Sequence, residues 1–138
     1  MWLRNDVEFT SDMIGDYVGF VYIITDLKND KKYIGKKLFE SKRTLPPLKG
    51  KTRKRKMTKE SDWMTYYSSS EALMLLVETD GAEFFKREIL HLCHSRGEMS
   101  YLEAKEQFDR GVLLSDDYYN GIINCKIHKT HVKRLAGL

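Results

Sequence analysis

The chain has 138 residues and 16.2 kDa, with 41% hydrophobic and 32% charged residues, which suits one domain around a single modest core and excludes a disordered composition. No apolar run is long enough to cross a bilayer, and Met1 to Asp12 carries acids instead of the basic and apolar pattern of a secretory leader. The net charge of +4 hides an asymmetry: residues 42–59 hold nine Lys or Arg and no acid, leaving fifteen bases against twenty acids elsewhere, a net −5. One segment therefore carries the positive field, the electrostatic footprint of a polyanion partner, although a solvated loop is the blander reading.

In chain order, Val18 to Thr25 is β-branched or aromatic at nearly every position and reads as a buried strand. Asp26 to Lys31 is polar around Asn29-Asp30 and suits a turn, after which Lys32 to Phe39 returns as a second strand. If the loop holds an even number of residues, Tyr22, Tyr33, Gly35 and Lys37 share one face, with Val21, Ile23 and Ile34 on the other. An odd loop or a bulge would separate the two tyrosines. Residues 40–61 read as a short turn of helix and a long basic loop containing Pro46-Pro47 and Gly50, expected to order on binding. Ser61-Asp62-Trp63 could cap the next element.

Ser69 to Thr79 reads as a helix ended by Asp80-Gly81, and Ala82 to Cys93 as a third strand. Gly97 to Val112 is the clearest helix, with Ser100 and Glu103 fitting a capping box and Tyr101, Ala104, Lys105, Phe108 and Val112 forming a stripe. Tyr118 to Leu138 starts apolar and finishes as a basic segment over 126–138. The expected fold is one domain over residues 1–138, α/β of the α+β kind, with a small three-stranded antiparallel sheet flanked by helices and a basic loop at 42–60.

Two phenols, a glycine permitting close backbone approach and a following string of cations point to a phosphodiester substrate. Metal-assisted cleavage needs a carboxylate for a hard cation, a group that positions water, and a fixed positive charge for the phosphate oxygens. Tyr22 and Tyr33 can orient water, but a phenol of pKa about 10 is a poor base unless cations or a metal activate it. Lys36, Lys37 and Arg43 supply positive charge, and Glu103 or Glu106, three apart on one helix, can hold the ion. Lys42, Lys49, Lys51, Arg53, Lys54, Arg55, Lys56 and Lys59 would grip a backbone without reading sequence.

This ordered set resembles the GIY-YIG nuclease superfamily, most closely its small free-standing phage-encoded members. The first tyrosine motif matches at Phe20-Val21-Tyr22, with Phe20 in place of the leading glycine, and the second is intact as Tyr33-Ile34-Gly35. Ten residues separate the two tyrosines, and the resemblance runs over roughly residues 18–125. It implies an arginine on a helix, matched by Arg43, a metal-binding glutamate placed at Glu103 with Glu106 as rival, and an asparagine after a tyrosine, matched by Tyr119-Asn120. A histidine expected four residues past the arginine is replaced by Pro47, so Lys36 or Lys37 would share its role. The resemblance implies a DNA endonuclease using Mg²⁺ or Mn²⁺ on double-stranded substrate. Cleavage of both strands would call for a homodimer, for which the sequence carries no clear signal.

Each candidate has an ordinary structural explanation. Tyr22 and Tyr33 could be cross-strand aromatics, Gly35 a close-packing site, Arg43 one surface charge among many, Glu103 the partner of Ser100 in its capping box, Glu106 a solvated carboxylate and Asn120 a turn residue. Trp63, Tyr66 and Tyr67 read as core or loop anchors. Cys93 and Cys125 read as small, reduced core residues of a cytoplasmic protein, the host's if phage-encoded, and the spacing of Cys93-His94, Cys125, His128 and His131 does not suit zinc. Two other functions fit the same features, a catalytically idle nucleic-acid-binding protein and a phage module that binds an acidic protein partner.

Overall fold

A computed structural model describes residues 1–137, with the side chain of Arg43 outside the described set. Among these residues the fold is mixed α/β. A five-stranded sheet takes the order β2-β1-β7-β3-β4, from β1 (Trp2–Arg4), β2 (Val7–Phe9), β3 (Gly19–Asp26), β4 (Lys31–Leu38) and β7 (Phe85–Cys93). The strands β5 (Glu40–Leu45) and β6 (Arg55–Glu60) form a separate hairpin, and the helices are α1 (Glu71–Asp80) and α2 (Arg96–Asp109). No helix among the described residues is long and apolar enough to cross a membrane.

The expected tyrosine hairpin is present. Asp26 pairs with Lys31 across a four-residue loop, so Tyr22 lies opposite Gly35 and Ile24 opposite Tyr33. Asp26 organises that loop: its carboxylate accepts hydrogen bonds from the backbone N–H groups of Lys28 and Asn29, from the Asn29 side chain, and from the Tyr119 hydroxyl at 2.7 Å. Burial works against its ionised form, but these donors outweigh it and hold the carboxyl below the usual range. A bulge between Val21 and Tyr22 shifts the pairing of β3 with β7 without disturbing the β3–β4 register.

Each sheet face buries its own apolar cluster. Trp2, Phe20, Tyr22, Ile24, Phe39, Trp63 and Leu73 pack together under α1 and the 61–70 loop, while Val21, Ile23, Ile34, Cys93, Met99 and Val112 pack under α2. Side-chain burial of this kind contributes roughly 1.5–3 kcal/mol per large residue and makes the interior strand β3, which feeds both clusters, a well-anchored element.

The three-stranded expectation needs correction. β1 and β2 add two strands, joined by Asn5 and Asp6 with φ of 51° and 65°, the paired left-handed geometry of a two-residue hairpin turn. β1 runs parallel to β7 and extends the sheet beyond it. Residues 40–61 are also corrected: in place of a helical turn and a long loop they form the β5–β6 ribbon, leaving a loop over 46–54. Its register explains how so basic a segment pairs. Lys42 lies opposite Thr58, Thr44 opposite Lys56, Ser41 opposite Lys59 and Leu45 opposite Arg55, so each of these bases faces a neutral residue. The segment 118–137 forms little regular structure beyond a short 3-10 turn at Lys129–Val132.

Candidate active site

β4 is an edge strand, and a cleft of about 370 Å³ opens beside it, where the two faces of the sheet meet. Tyr22, Tyr33 and Tyr66 line it from one face, and Glu103 and Gln107 from α2 on the other, with Lys36 and Asn120 along the edge. The sequence brings these groups together by alternation: odd positions of β4 share the tyrosine face, while Ile34 joins the cluster under α2.

Gly35 is required here by space. A Cβ at this position would overlap the ring and hydroxyl of Tyr22, which lies across the glycine and is 1% exposed. Burial pushes the Tyr22 phenol well above its ordinary value, and the neighbouring Tyr66 and Tyr33 push it further the same way. The activation by cations that a basic phenol would need is therefore reversed at Tyr22, whose surroundings favour the neutral phenol. Tyr33 lies 6.3 Å from it between ring centroids and is only partly buried.

Tyr66, which reads from the sequence as a loop anchor, is placed by the structure in the cleft. Its loop is fastened by three long-range bonds. Trp2 Nε1 donates to the Trp63 carbonyl at 2.7 Å, and the buried Arg87 donates to the Met64 and Tyr66 carbonyls at 3.0 and 2.8 Å. Arg87 is itself stacked between Trp2 and Tyr67.

α2 corrects the capping box. Its N-cap is Ser95, whose Oγ accepts from the Glu98 N–H, and Glu98 Oε1 in turn reaches the His94 N–H at 3.5 Å. Ser100 lies inside the helix and accepts from Lys36 Nζ at 2.9 Å, which frees Glu103 from the capping role. The apolar stripe is rephased in part: Ala104 and Val112 are buried as expected and Met99 and Gln107 join them, whereas Phe108 is 59% exposed. Burial raises the Glu103 carboxyl above the usual range, opposed by Lys36, whose Nζ stands 3.9 Å from Oε1.

The rival Glu106 is otherwise engaged. It meets His91 Nε2 at 2.7 Å and Arg110 Nε at 2.9 Å, and these bonds outweigh burial and hold it below the usual range. It is not among the groups lining the cleft.

Asn120 is buried, and its amide is committed to strand β4: Oδ1 accepts from Ile34 N–H at 3.0 Å and Nδ2 donates to Ile34 C=O at 2.8 Å. Gln107 Nε2 donates to the same carbonyl at 3.2 Å, which leaves Gln107 Oε1 buried without a partner. Asn120→Ala strands the buried Ile34 N–H, and a loss of about 2–3 kcal/mol is expected, measured as a lower urea midpoint at unchanged m-value.

The remaining candidates scatter. Lys37 pairs with Asp62 at 2.7 Å and lies over the Tyr66 ring at 4.1 Å, beside the cleft but not lining it. Arg43 falls on strand β5, not on a helix, and its side chain lies outside the described residues. Lys42, Lys49, Lys51, Arg53, Lys54, Arg55, Lys56 and Lys59 are all exposed on the ribbon and its loop. Cys93 is buried, its thiol pushed up to about 12 by burial and then by Glu98, whereas Cys125 is exposed and is not a core residue.

A hard cation fits what the cleft offers. Among the described residues no group of three or more His, Cys, Asp or Glu is placed to hold a metal ion, which leaves a lone carboxylate, Glu103, and the orphaned Gln107 oxygen one turn further along the helix. Mg²⁺ and its analogues accept so sparse a donor set because they retain most of their waters.

The family model described as "Putative endonuclease segE, GIY-YIG domain" matches residues 2–123. The chain belongs to the GIY-YIG endonuclease family. No curated protein and no solved structure matches it. The GIY-YIG match takes in β1, the basic ribbon, Glu103 and Asn120, and it stops before the basic segment 126–138. Gln107 could have been sought in the GIY-YIG sequence, since it stands one helical turn after Glu103, whereas Tyr66 carries no local signal.

Proposed function

We propose that this GIY-YIG chain is a divalent-cation-dependent endonuclease that hydrolyses phosphodiester bonds of double-stranded DNA in the cleft beside β4. The observation that carries the reading is the meeting of the Glu103 carboxylate, the Tyr22 and Tyr33 phenols and Lys36 on one cleft at the sheet edge. Glu103 would hold Mg²⁺ or Mn²⁺, with Gln107 Oε1 available to a water of its shell. When bound, the ion supplies Lewis-acid polarisation of a phosphate oxygen.

The chain's own groups do the rest. Tyr22 Oη, kept protonated by burial, donates a hydrogen bond and fixes orientation. Tyr33 Oη, at the more open side, accepts from the attacking water and aligns it. Lys36 Nζ, 3.9 Å from Glu103, offsets charge building on the phosphate oxygens, with Arg43 and Lys37 assigned to the same task. Asn120 and Gln107 hold the edge of β4 still beneath them, and the β5–β6 ribbon grips the backbone on either side.

Supercoiled plasmid incubated with the protein and Mg²⁺ or Mn²⁺ is expected to convert to nicked or linear form, and an excess of EDTA to stop the conversion. Salt-sensitive binding without conversion under any cation would replace this reading with that of an idle DNA-binding protein.

A further inference from the structure

We infer that a second cleft, next to the first, binds a backbone phosphate flanking the cleaved bond, and that Arg96 is the residue that grips it. The inference rests on the nuclease reading and adds to it a path for the substrate strand. The second cleft, about 380 Å³, is bounded by Lys36 and Lys37 of β4, Glu40 and Lys42 of β5 and Arg96 of α2, over a floor that includes Met99. Lys36 lines both clefts, so the two adjoin along the same β4 edge of the sheet.

Charge and spacing specify the ligand. Four cations meet one carboxylate, Glu40, on this lining. Lys36 and Lys37 share their charge with Glu103 and Asp62, at 3.9 and 2.7 Å, whereas among the described residues Lys42 and Arg96 have no carboxylate within salt-bridge distance. Arg96 is exposed, and its planar fork suits the paired oxygens of a phosphodiester. Three strand steps separate Gly35 in the first cleft from Leu38 in the second, about 10 Å, which spans two to three nucleotides at roughly 3.4 Å of rise each. A strand whose scissile phosphate lies by Glu103 and which follows β4 toward the base of the ribbon therefore brings its second or third phosphate between Lys42 and Arg96. Arg96 lies outside the basic ribbon, so this contact clamps the strand from the side of the body opposite the hairpin.

The test measures duplex binding by fluorescence anisotropy against salt, in a Glu103→Gln background that prevents cleavage. Arg96→Gln is expected to weaken binding about 3–10-fold and to reduce the slope of log K against log salt by about one, the mark of a single lost phosphate contact, while Lys28→Gln, in the loop between β3 and β4, leaves both unchanged. A methylphosphonate scan with cleavage-competent protein then locates the contact: one neutralised phosphate, two or three nucleotides from the cut, should weaken the parent and cost Arg96→Gln nothing further. Tight parental binding with unchanged affinity and slope in folded Arg96→Gln would overturn the site alone. Absence of any DNA binding by the parent would overturn both this site and the nuclease reading.

Discussion

Glu103→Gln is expected to lower DNA cleavage about 10³-fold while leaving the protein at least as stable as the parent in the absence of divalent cation. The two effects have one cause. Glu103 is set in a cleft where burial raises its pKa, so the folded chain holds that proton more tightly than the unfolded chain does. Stability linked to this group is therefore fully present in acid and is lost as the pH rises through the raised pKa. Near neutrality the ionised carboxylate is a cost that Gln does not carry, and a bound cation offsets it. Mn²⁺ should accordingly raise the melting temperature of the parent at pH 7 and not that of the variant. The rise should disappear on acidification at a higher pH than an ordinary carboxylate would give. Thermal melts with and without Mn²⁺ across pH, run beside plasmid assays, check both parts; equal cleavage by parent and variant would remove Glu103 from the site.

Gly35→Ala should cost about 2–3 kcal/mol, a fall of roughly 5–10 °C in melting temperature, together with most of the activity. The added methyl collides with Tyr22, and that ring has nowhere to go: Trp2, Phe20 and Tyr66 surround it with centroids at 5.2, 6.0 and 6.1 Å. The energetic signature is coupling. In a Tyr22→Ala background the collision is absent, so Gly35→Ala should then cost much less, and a double-mutant cycle by urea denaturation measures the difference. Additive costs would mean that the glycine serves backbone freedom and not the tyrosine.

The tyrosine hairpin was legible because its signal is local. β-branched and aromatic residues with period two, and an even loop, determine which side chains meet. The β1–β2 hairpin was not, although Asn5-Asp6 is a good turn pair, because three residues on either side are too few to show alternation. Near the start of α2 stand two Ser-x-x-Glu spacings, Ser95 to Glu98 and Ser100 to Glu103, and sequence does not choose between them. The choice falls to the end of β7 at Cys93, which requires α2 to begin at once. The buried face of α2 was misphased for a related reason: it carries Glu98 and Gln107, polar residues whose burial makes sense only beside their partners. The ribbon was hidden by its own composition, since the neutral residues that separate its charges are visible only when the two strands are laid side by side. Tyr66 reached the cleft through bonds to Trp2 and Arg87, contacts far apart in the chain that leave no periodic trace.

The amides of Asn120 and Gln107 on Ile34 have a consequence for the behaviour of the protein in concentrated solution. An edge strand with free N–H and C=O groups is a template on which a strand of another molecule can grow. Here side-chain amides occupy the place of that missing neighbour, and the backbone of Asp117 and Tyr119 does the same at Lys32. The residues that frame the cleft thereby also shield this stretch of β4, around Lys32 and Ile34, from pairing with a strand of another molecule.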